Sequence, residues 1–331
     1  MKAIVYDQYG PPEVARLEEI PKPEIKRGEI LVKVSASSVT TADWRMRASA
    51  FPGGLWLAGR LMTGLVRPKN RVLGVDFAGE VAAVGADVSR FRKGDRVFGF
   101  AGRGGHAEYL AVSAEGAIAR TPDGISDPEA AALPFGALAA LVFLRDVAKL
   151  KPGRKLLVVG ASGGVGAYAV QIAKSLGAEV TGVASGGNAD LVLGLGADHF
   201  IDYRTKDYAE TGDSWDVIFD TVRPADFSDA RRALKPGGLY LPLNFGVKDM
   251  IRSAFTGRRG AARMITTVNG DTREDIEAIA ALVAAGDLRP VIDRRFPMSA
   301  VGEAYRHVEG RHRKGSVILE IMPGSAGRAA A

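Results

Sequence analysis

The chain has 331 residues, including 41 glycines, 4 histidines and no cysteine, and its formal net charge is +6. A sequence without cysteine excludes disulfides, iron–sulfur clusters, thiolate zinc sites and thiol nucleophiles. The length predicts two domains, and the positive charge is concentrated in residues 231–331, which contain 17 basic and 10 acidic residues. No nucleic-acid-binding motif accompanies that charge, so we expect no nucleic-acid partner.

The sequence contains no pattern typical of export or membrane insertion. An acidic residue, Asp7, follows the N-terminal methionine too early for a secretory signal peptide. The longest apolar run, residues 130–144, is interrupted by Pro134 and Gly136 and is too short to cross a bilayer. We therefore expect a cytoplasmic protein without a membrane partner.

Residues 1–122 are predicted to form a β domain. Short β-branched runs such as residues 29–34 and 96–100 are bounded by glycine and proline, which is typical of strands. The stretch from residue 47 to residue 71 has no clear period. Its bulky apolar residues either pack locally or line a pocket.

From residue 123 the pattern changes to alternating strands and helices. Such alternation predicts a doubly wound parallel sheet covered by helices on both faces. The predicted strands are residues 155–159, 179–183, 199–203, 216–220, 238–243 and 263–268. After them, Asp271 is predicted to cap a helix that ends at Gly286. The apolar strand at 317–321 is predicted to return to the N-terminal β domain.

The strongest motif is a glycine-rich turn between the strand at 155–159 and the helix that begins at Gly166. This order of strand, turn and helix is the dinucleotide-binding fingerprint, in which amides at the helix start meet a pyrophosphate. Gly163 and Gly166 match its second and third glycines, while Ala161 stands at the first position. The alternative is a tight turn without a ligand. The predicted cofactor contacts here are Ala161, Ser162, Gly163, Gly164, Val165 and Gly166.

The end of the second strand of this region favours NADPH over NADH. An NAD-binding enzyme usually places an acidic residue there for the adenosine ribose. In this sequence the first acidic residue after the strand at 179–183 is Asp190. Ser185 and Asn188 are predicted to donate to a 2′-phosphate, and Tyr203 and Arg204 to add a hydroxyl and a positive charge. The alternative for Arg204 is a solvated loop.

Motifs along nearly the whole chain resemble the medium-chain dehydrogenase/reductase superfamily, in particular its zinc-free quinone oxidoreductase branch. The similar segments are residues 74–81 (GVDFAGEV), 94–97 (GDRV), 161–166 (ASGGVG), 196–198 (GAD) and 314–317 (KGSV). Each segment alone is a weak match, whereas together they are specific.

The resemblance implies an α/β architecture: a GroES-like β domain, a Rossmann doubly wound parallel-sheet domain and an interdomain cleft. Residues 1–122, completed by 269–331, would form the substrate domain, and residues 123–268 the NADPH-binding domain. Relatives pair as dimers, so a homodimer is expected. Zinc-dependent relatives place a histidine where Asp76 stands, so no metal site and no zinc are expected.

The chemistry that the resemblance implies is hydride transfer to a quinone or an α,β-unsaturated carbonyl, a small-molecule substrate. Thr40 replaces the asparagine that the family often has near the nicotinamide, and Trp44 either flanks the acceptor or packs in the core. Asp76 is predicted to orient neighbouring groups rather than to transfer protons. Phe245 either lies near the nicotinamide or only packs. Thr40, Trp44 and Asp76 are thus the candidate catalytic residues.

Two other functions stay open from the sequence. The same fold and hydride serve enoyl-thioester reductases and carbonyl or alcohol oxidoreductases. A non-catalytic NADPH-binding regulatory protein is the alternative from a different class, because fold does not determine function.

Overall fold

The computed structural model describes residues 1–224, 226–257, 261–268 and 270–322. The chain divides into two compact units, each with its own core. Unit 1 comprises residues 1–50, 57–135 and 271–331, and unit 2 comprises residues 51–56 and 136–270. No helix among the described residues is long and apolar enough to cross a membrane.

The first 135 residues supply most of unit 1. Their strands are β1 (Lys2–Val5), β2 (Arg16–Glu19), β3 (Glu29–Val39), β4 (Asp76–Val84), β5 (Arg96–Phe100), β6 (Tyr109–Ser113) and β7 (Ala117–Arg120). Their helices are α1 (Thr41–Ala48), α2 (Trp56–Thr63), α3 (Asp127–Ala131) and the start of α4 (Pro134–Leu141). The long strand β3 is apolar and almost wholly buried, which makes it the centre of the unit 1 sheet.

Unit 2 alternates strands with helices. The strands are β8 (Lys155–Val159), β9 (Glu179–Ala184), β10 (His199–Asp202), β11 (Trp215–Asp220), β12 (Leu234–Pro242) and β13 (Arg263–Met264). The helices that follow α4 are α5 (Gly166–Ser175), α6 (Ala189–Gly194), α7 (Phe227–Ala233) and α8 (Val247–Ala254). Neighbouring strands are parallel, in the order β10-β9-β8-β11-β12-β13.

This strand order confirms the predicted Rossmann sheet. The chain winds one way from β8 to β10 and the other way from β11 to β13, so the direction reverses between β8 and β11. Ligands of such sheets bind at the carboxyl ends of the strands beside this reversal. The sixth strand is shorter than predicted, since only Arg263 and Met264 pair with β12.

The last described residues return to unit 1 as α9 (Arg273–Ala284), β14 (Ile292–Pro297), α10 (Val301–Glu309) and β15 (Ser316–Glu320). Strand β15 pairs antiparallel with β3, with Leu319 opposite Ser37. The unit 1 sheet then runs β14-β15-β3-β4-β5-β7, with β6 also on β3. The prediction that the final strand joins the N-terminal domain is therefore confirmed.

Other details also differ from the sequence prediction, including residues 51–56, which belong to unit 2 rather than to the predicted substrate domain. The α9 cap is Thr272 rather than Asp271, because the Thr272 hydroxyl accepts from the amide of Asp275 and the Asp275 carboxylate accepts from Thr272. Unit 1 also continues past residue 122, as far as Phe135. Helix α3 packs on β3 and β4, and the Ser316 hydroxyl donates to the carbonyl of Ala132 over 2.8 Å.

Candidate active site

The glycine turn lies at the carboxyl end of β8, in unit 2. Gly160 has a φ of 82°, and a Cβ atom there would lie 2.0 Å from Val222 Cγ2. The amides of Gly160 and Ala161 both donate to the carbonyl of Val183 in the neighbouring strand, over 2.9 and 3.0 Å. The amide of Gly163 closes the turn on the carbonyl of Gly160 over 3.0 Å. Main-chain hydrogen bonds thus fix the turn, and the positive φ and the Val222 side chain exclude a side chain at Gly160.

The two glycines of the fingerprint meet different constraints. A Cβ on Gly166 would lie 2.0 Å from the Gly160 oxygen and 2.9 Å from Ala161 Cα, so α5 reaches the turn only without a side chain there. At Gly163 the closest atom would be the Gly160 oxygen at 3.3 Å, a tight but smaller conflict. Gly166 therefore serves packing, and Gly163 leaves the outer surface of the turn open, as the fingerprint requires.

The start of α5 offers amide donors to an anion. The first helical acceptor is the Gly163 carbonyl, which accepts from Ala167 over 3.0 Å. The amides of Gly164, Val165 and Gly166 therefore precede the hydrogen-bond ladder of this ten-residue helix. Amides at such a position and the positive end of the helix dipole favour a phosphate. The turn thus has the donors and the open backbone that a dinucleotide needs.

Three predicted cofactor residues from two segments come together beside the turn. The side-chain amide of Asn188 donates to the hydroxyls of Ser162 and Ser185, each over 3.0 Å. Ser162 is buried, whereas Ser185 and Asn188 are half-buried. Asn188 therefore links the glycine turn to the end of β9. The hydroxyls of Ser162 and Ser185 accept these hydrogen bonds, so each can still donate its own hydrogen to an acceptor on a ligand.

The end of β10 places Tyr203 and Arg204 at the same edge of the sheet. The Tyr203 amide donates to the Ala184 carbonyl over 3.2 Å, and 55% of the residue is exposed. Arg204 is exposed, and its amide donates to Asp202 Oδ1 over 3.0 Å. A Cβ on Gly186 would lie 2.5 Å from Asp202 Oδ2. The sequence analysis missed this carboxylate, which β10 brings beside the end of β9.

A buried carboxyl group supports the turn from the β11 side. Asp220 Oδ1 accepts from the amides of Val222 and Arg223 over 3.2 and 3.0 Å. The hydroxyl of Thr221 donates to the carbonyl of Val159 over 2.8 Å. Burial raises the pKa of Asp220, and the Arg223 guanidinium opposes that rise. Phe245, half-buried after β12, lies at the same edge of the sheet.

In unit 1, Thr40 caps helix α1. Its hydroxyl donates to Asp43 Oδ2 over 2.7 Å and accepts from the Asp43 amide over 3.1 Å. Asp43 Oδ1 accepts from the amide of Gly74 over 3.1 Å, and both Thr40 and Asp43 are buried. The hydroxyl hydrogen of Thr40 is therefore engaged by Asp43. The sequence signal for this arrangement is the Thr-x-x-Asp spacing of a capping box.

Trp44 lies on α1 and packs partly against the unit 1 core. The Arg311 guanidinium lies 5.2 Å from the centre of its ring, a cation–π contact. Beside it, Arg313 donates to the hydroxyl of Thr41 over 3.0 Å. Burial lowers the pKa of Arg313 to about 10. Trp44 is therefore half-buried in a positively charged environment.

Asp76 is fully buried in unit 1. Its Oδ2 accepts from the Ser38 hydroxyl over 2.5 Å and from the Phe135 amide over 3.2 Å. Its Oδ1 has no hydrogen-bond partner among the described residues. Burial raises the pKa of Asp76 well above its ordinary value, against the effect of the Ser38 hydrogen bond. The geometry connects β3, β4 and the start of α4 through one carboxyl group.

The part of the chain that the structure describes contains no group of three or more His, Asp or Glu side chains able to hold a metal ion. His106 is buried, with its Nε2 3.0 Å from the Ser38 carbonyl. Its ring meets that of Tyr305 edge to face at 6.3 Å. Its surroundings are those of a packed core histidine.

Comparison with known proteins identifies two family matches and several similar proteins. The family description "Alcohol dehydrogenase GroES-like domain" matches residues 26–123, and "Zinc-binding dehydrogenase" matches residues 195–319. Quinone-oxidoreductase QR1 of Triphysaria versicolor is 31% identical, over 97% of this chain and 98% of the relative. The NADPH-dependent alkenal/one oxidoreductase of Arabidopsis thaliana is also 31% identical, over 98% of this chain and 80% of that protein.

A solved structure has the same fold. The quinone oxidoreductase from Coxiella burnetii is 30% identical and has a TM-score of 0.85, with 97% of this chain and 99% of that chain covered. The parallel sheet, its glycine turn and these relatives define an oxidoreductase with a dinucleotide-binding fold. The chain belongs to the medium-chain dehydrogenase/reductase superfamily, in its quinone oxidoreductase branch. The predicted superfamily and fold class are confirmed.

Proposed function

We propose that the protein is a zinc-independent, NADPH-dependent reductase that transfers hydride to a quinone or an α,β-unsaturated carbonyl. The observation that carries the proposal is the glycine turn at the carboxyl end of β8, where a Cβ on Gly166 would lie 2.0 Å from the Gly160 oxygen. Relatives whose names specify quinone and alkenal/one reduction cover nearly the whole chain. They support a nicotinamide cofactor and a small-molecule acceptor.

The residues around Asn188 support NADPH rather than NADH. The side-chain amide of Asn188 donates to the hydroxyls of Ser162 and Ser185, so each hydroxyl can still donate its own hydrogen to a phosphate. Arg204 adds an exposed positive charge at the same sheet edge. Asp202 opposes a phosphate there, but its Oδ1 is occupied by the amide of Arg204. We therefore assign the 2′-phosphate to Ser185, Asn188, Tyr203 and Arg204.

When bound, NADPH would supply a hydride to the electron-poor carbon of the acceptor, and a proton from solvent or from a side chain would complete the reduction. The turn at Gly163 and the amides at the start of α5 would hold the pyrophosphate. Phe245 would pack beside the nicotinamide and Trp44 would flank the acceptor, and Thr40 is proposed to shape the substrate side through the start of α1 rather than through its hydroxyl, which Asp43 engages. Asp76 is proposed as a positioning residue, since it is fully buried.

The residue chemistry supports the proposed zinc independence. The sequence has no cysteine, and Asp76 is fully buried with Ser38 and Phe135 as its partners. We expect a chelator such as 1,10-phenanthroline to leave the turnover rate unchanged, measured on enzyme whose metal content is determined first. A rate that falls with chelator and returns with added Zn²⁺ would contradict the proposal.

The reaction is tested by following NADPH oxidation at 340 nm with 1,2- and 1,4-quinones, enones, enoyl-CoA thioesters and aldehydes, with NADH in parallel. We expect turnover with quinones or enones and a higher kcat/KM with NADPH. Preference for enoyl thioesters or aldehydes would establish the alternative reductase. Saturable NADPH binding without turnover on any acceptor would establish a binding protein. Equal use of NADH would refute the cofactor assignment.

We further propose a homodimer, as the family resemblance implies. Analytical ultracentrifugation of the full chain measures it directly, and a single species of 34.9 kDa at micromolar concentration would refute it.

A further inference from the structure

Helix α2 and the loop after it expose apolar side chains on the surface of unit 1. The exposed fractions are 57% for Leu61, 66% for Met62 and 84% for Val66, and Leu57 and Leu65 are also more than half exposed. Leu57 and Leu61 are four residues apart on α2, so they lie on the same side of the helix, and Leu65 and Val66 follow in the loop. We name these five residues the α2 patch. A clustered apolar surface of this kind typically marks a binding site.

The α2 patch is held in place by contacts within unit 1. The hydroxyl of Tyr9 donates to Thr63 Oγ1 over 3.0 Å or to the Gly64 carbonyl over 2.7 Å. Arg60 lies over the Tyr9 ring at 3.8 Å and donates to the Leu65 carbonyl over 2.9 Å. These contacts fix the helix and the loop against Tyr9. The apolar side chains therefore point outward because their opposite side is packed.

The chain segment that carries the α2 patch contains basic but no acidic residues. The sequence from Trp44 to Val75 contains no acidic residue, whereas it contains Arg45, Arg47, Arg60, Arg67, Lys69 and Arg71. Arg47 and Arg71 form ion pairs with acidic residues of other segments. Arg67 is exposed and makes no ion pair with any described residue. Lys69 is exposed, and its Nζ donates to the Leu61 carbonyl over 2.9 Å.

We propose that the α2 patch docks on an anionic lipid bilayer. Exposed leucine, methionine and valine side chains enter the interface between headgroups and acyl chains, and neighbouring cations contact anionic headgroups. A second copy of the chain fits less well, because a twofold interface centred on the α2 patch would bring Arg67 and Lys69 of one copy close to those of the other. The proposal replaces the expectation of no membrane partner and does not depend on the substrate.

The charge part of the proposal is tested with the purified full chain and sedimented vesicles. The vesicles are phosphatidylcholine alone or phosphatidylcholine with about 30% phosphatidylglycerol. We expect binding to the anionic vesicles at about 0.1 M NaCl and weaker binding at about 0.5 M. Arg67→Gln with Lys69→Gln should lower the partition coefficient about thirtyfold. Lys26→Gln with Lys93→Gln removes the same charge from exposed sites elsewhere in unit 1 and should leave it unchanged.

The apolar part is tested by Leu57→Glu with Leu61→Glu, which should lower the partition coefficient more than tenfold. Leu17→Glu with Leu193→Glu is the matched control, since both leucines are also exposed. Circular dichroism verifies that each variant is folded. No binding of the wild type to anionic vesicles, or an equal loss in both controls, would overturn the proposal. The proposal would also be overturned if the wild type formed a dimer that Leu57→Glu with Leu61→Glu dissociates, while neither protein binds to vesicles.

Discussion

Single glycines in the turn after β8 separate folding from cofactor binding. A Cβ at position 166 conflicts with the main chain of Gly160 at 2.0 Å, whereas one at position 163 lies 3.3 Å from the nearest atom. We expect Gly166→Ala to lower the free energy of unfolding by about 3 kcal/mol. Gly163→Ala should cost about 1 kcal/mol and weaken NADPH binding at least tenfold. Urea unfolding and NADPH fluorescence titration measure the two effects.

The matched control for both glycine variants is Gly28→Ala in unit 1, because a Cβ at that position meets no atom within 4 Å. It should keep the stability of the wild type. If Gly163→Ala binds NADPH as tightly as the wild type, the pyrophosphate does not lie on this turn.

Asp76 makes the stability depend on pH. Because burial raises its pKa well above the ordinary value, the folded protein holds a proton that the unfolded chain releases. Its contribution is complete below the unfolded pKa of about 4 and is lost as the pH rises toward the folded pKa. Between about pH 5 and pH 9, the free energy of unfolding of Asp76→Asn should fall less with rising pH than that of the wild type. Urea midpoints at several pH values measure this.

The substitution is suitable because the asparagine carbonyl can accept from both Ser38 and the Phe135 amide. Asp123→Asn, at an exposed site, is the control with the same charge change and should follow the wild type. Parallel pH profiles for Asp76→Asn and the wild type would show that Asp76 is ionised throughout.

Sequence motifs predicted the site residues whose roles depend on their neighbours in the chain. The turn around Gly163 was predicted because strand, glycines and helix follow one another in the sequence. The contact of Asn188 with Ser162 joins residues 26 positions apart, and only their shared sheet edge predicts that they are close. Asp202 was missed because its approach to Gly186 depends on how β10 is aligned with β9. That alignment is set by packing and not by a sequence motif.

At the scale of elements, the position of Thr40 at the start of α1 favours a role as a helix cap over a direct part in catalysis. The hydroxyl is engaged by Asp43 as a helix cap. Thr40→Val should lower the free energy of unfolding by about 1 to 2 kcal/mol and change kcat less than threefold. Thr40→Ser retains the cap and should restore the stability. A hundredfold loss of kcat in folded Thr40→Val protein would instead give the hydroxyl a direct part in catalysis.

Helix and strand positions were more predictable than their ends. The buried strands of unit 2 were predicted because each is a short apolar run followed by a helical pattern. The predicted N-cap of α9 was wrong by one residue, since Asp271 and Thr272 are both good capping residues. The choice depends on which residue three positions later can return a hydrogen bond, and Asp275 does so. Several competing caps in one segment therefore limit prediction from sequence.

At the scale of the whole molecule, unit 1 is built from both ends of the chain. Strand β15 pairs with β14 on one side and β3 on the other, so the last described strand lies within the sheet. The sequence predicted this return only through an isolated apolar run at 317–321. The family resemblance made the return specific. The extension of unit 1 to Phe135 was not predictable, because it depends on contacts of α3 with β3 and β4.

The stability of the whole chain reports its cofactor preference without any substrate. A ligand that binds only the folded protein stabilises it by about 2.7 kcal/mol at a hundred times its Kd. At equal concentrations, NADPH should therefore raise the unfolding temperature more than NADH. Arg204→Gln should narrow that difference, because the exposed guanidinium is proposed to face the 2′-phosphate.

Arg231→Gln is the matched control for Arg204→Gln, since Arg231 is exposed on α7 of the same unit. Both variants lose one positive charge, so a change in general electrostatic attraction affects them equally. Thermal unfolding with each cofactor measures the difference for all three proteins. If both variants narrow it equally, the preference arises from net charge. If Arg204→Gln alone narrows it, the end of β10 recognises the phosphate directly.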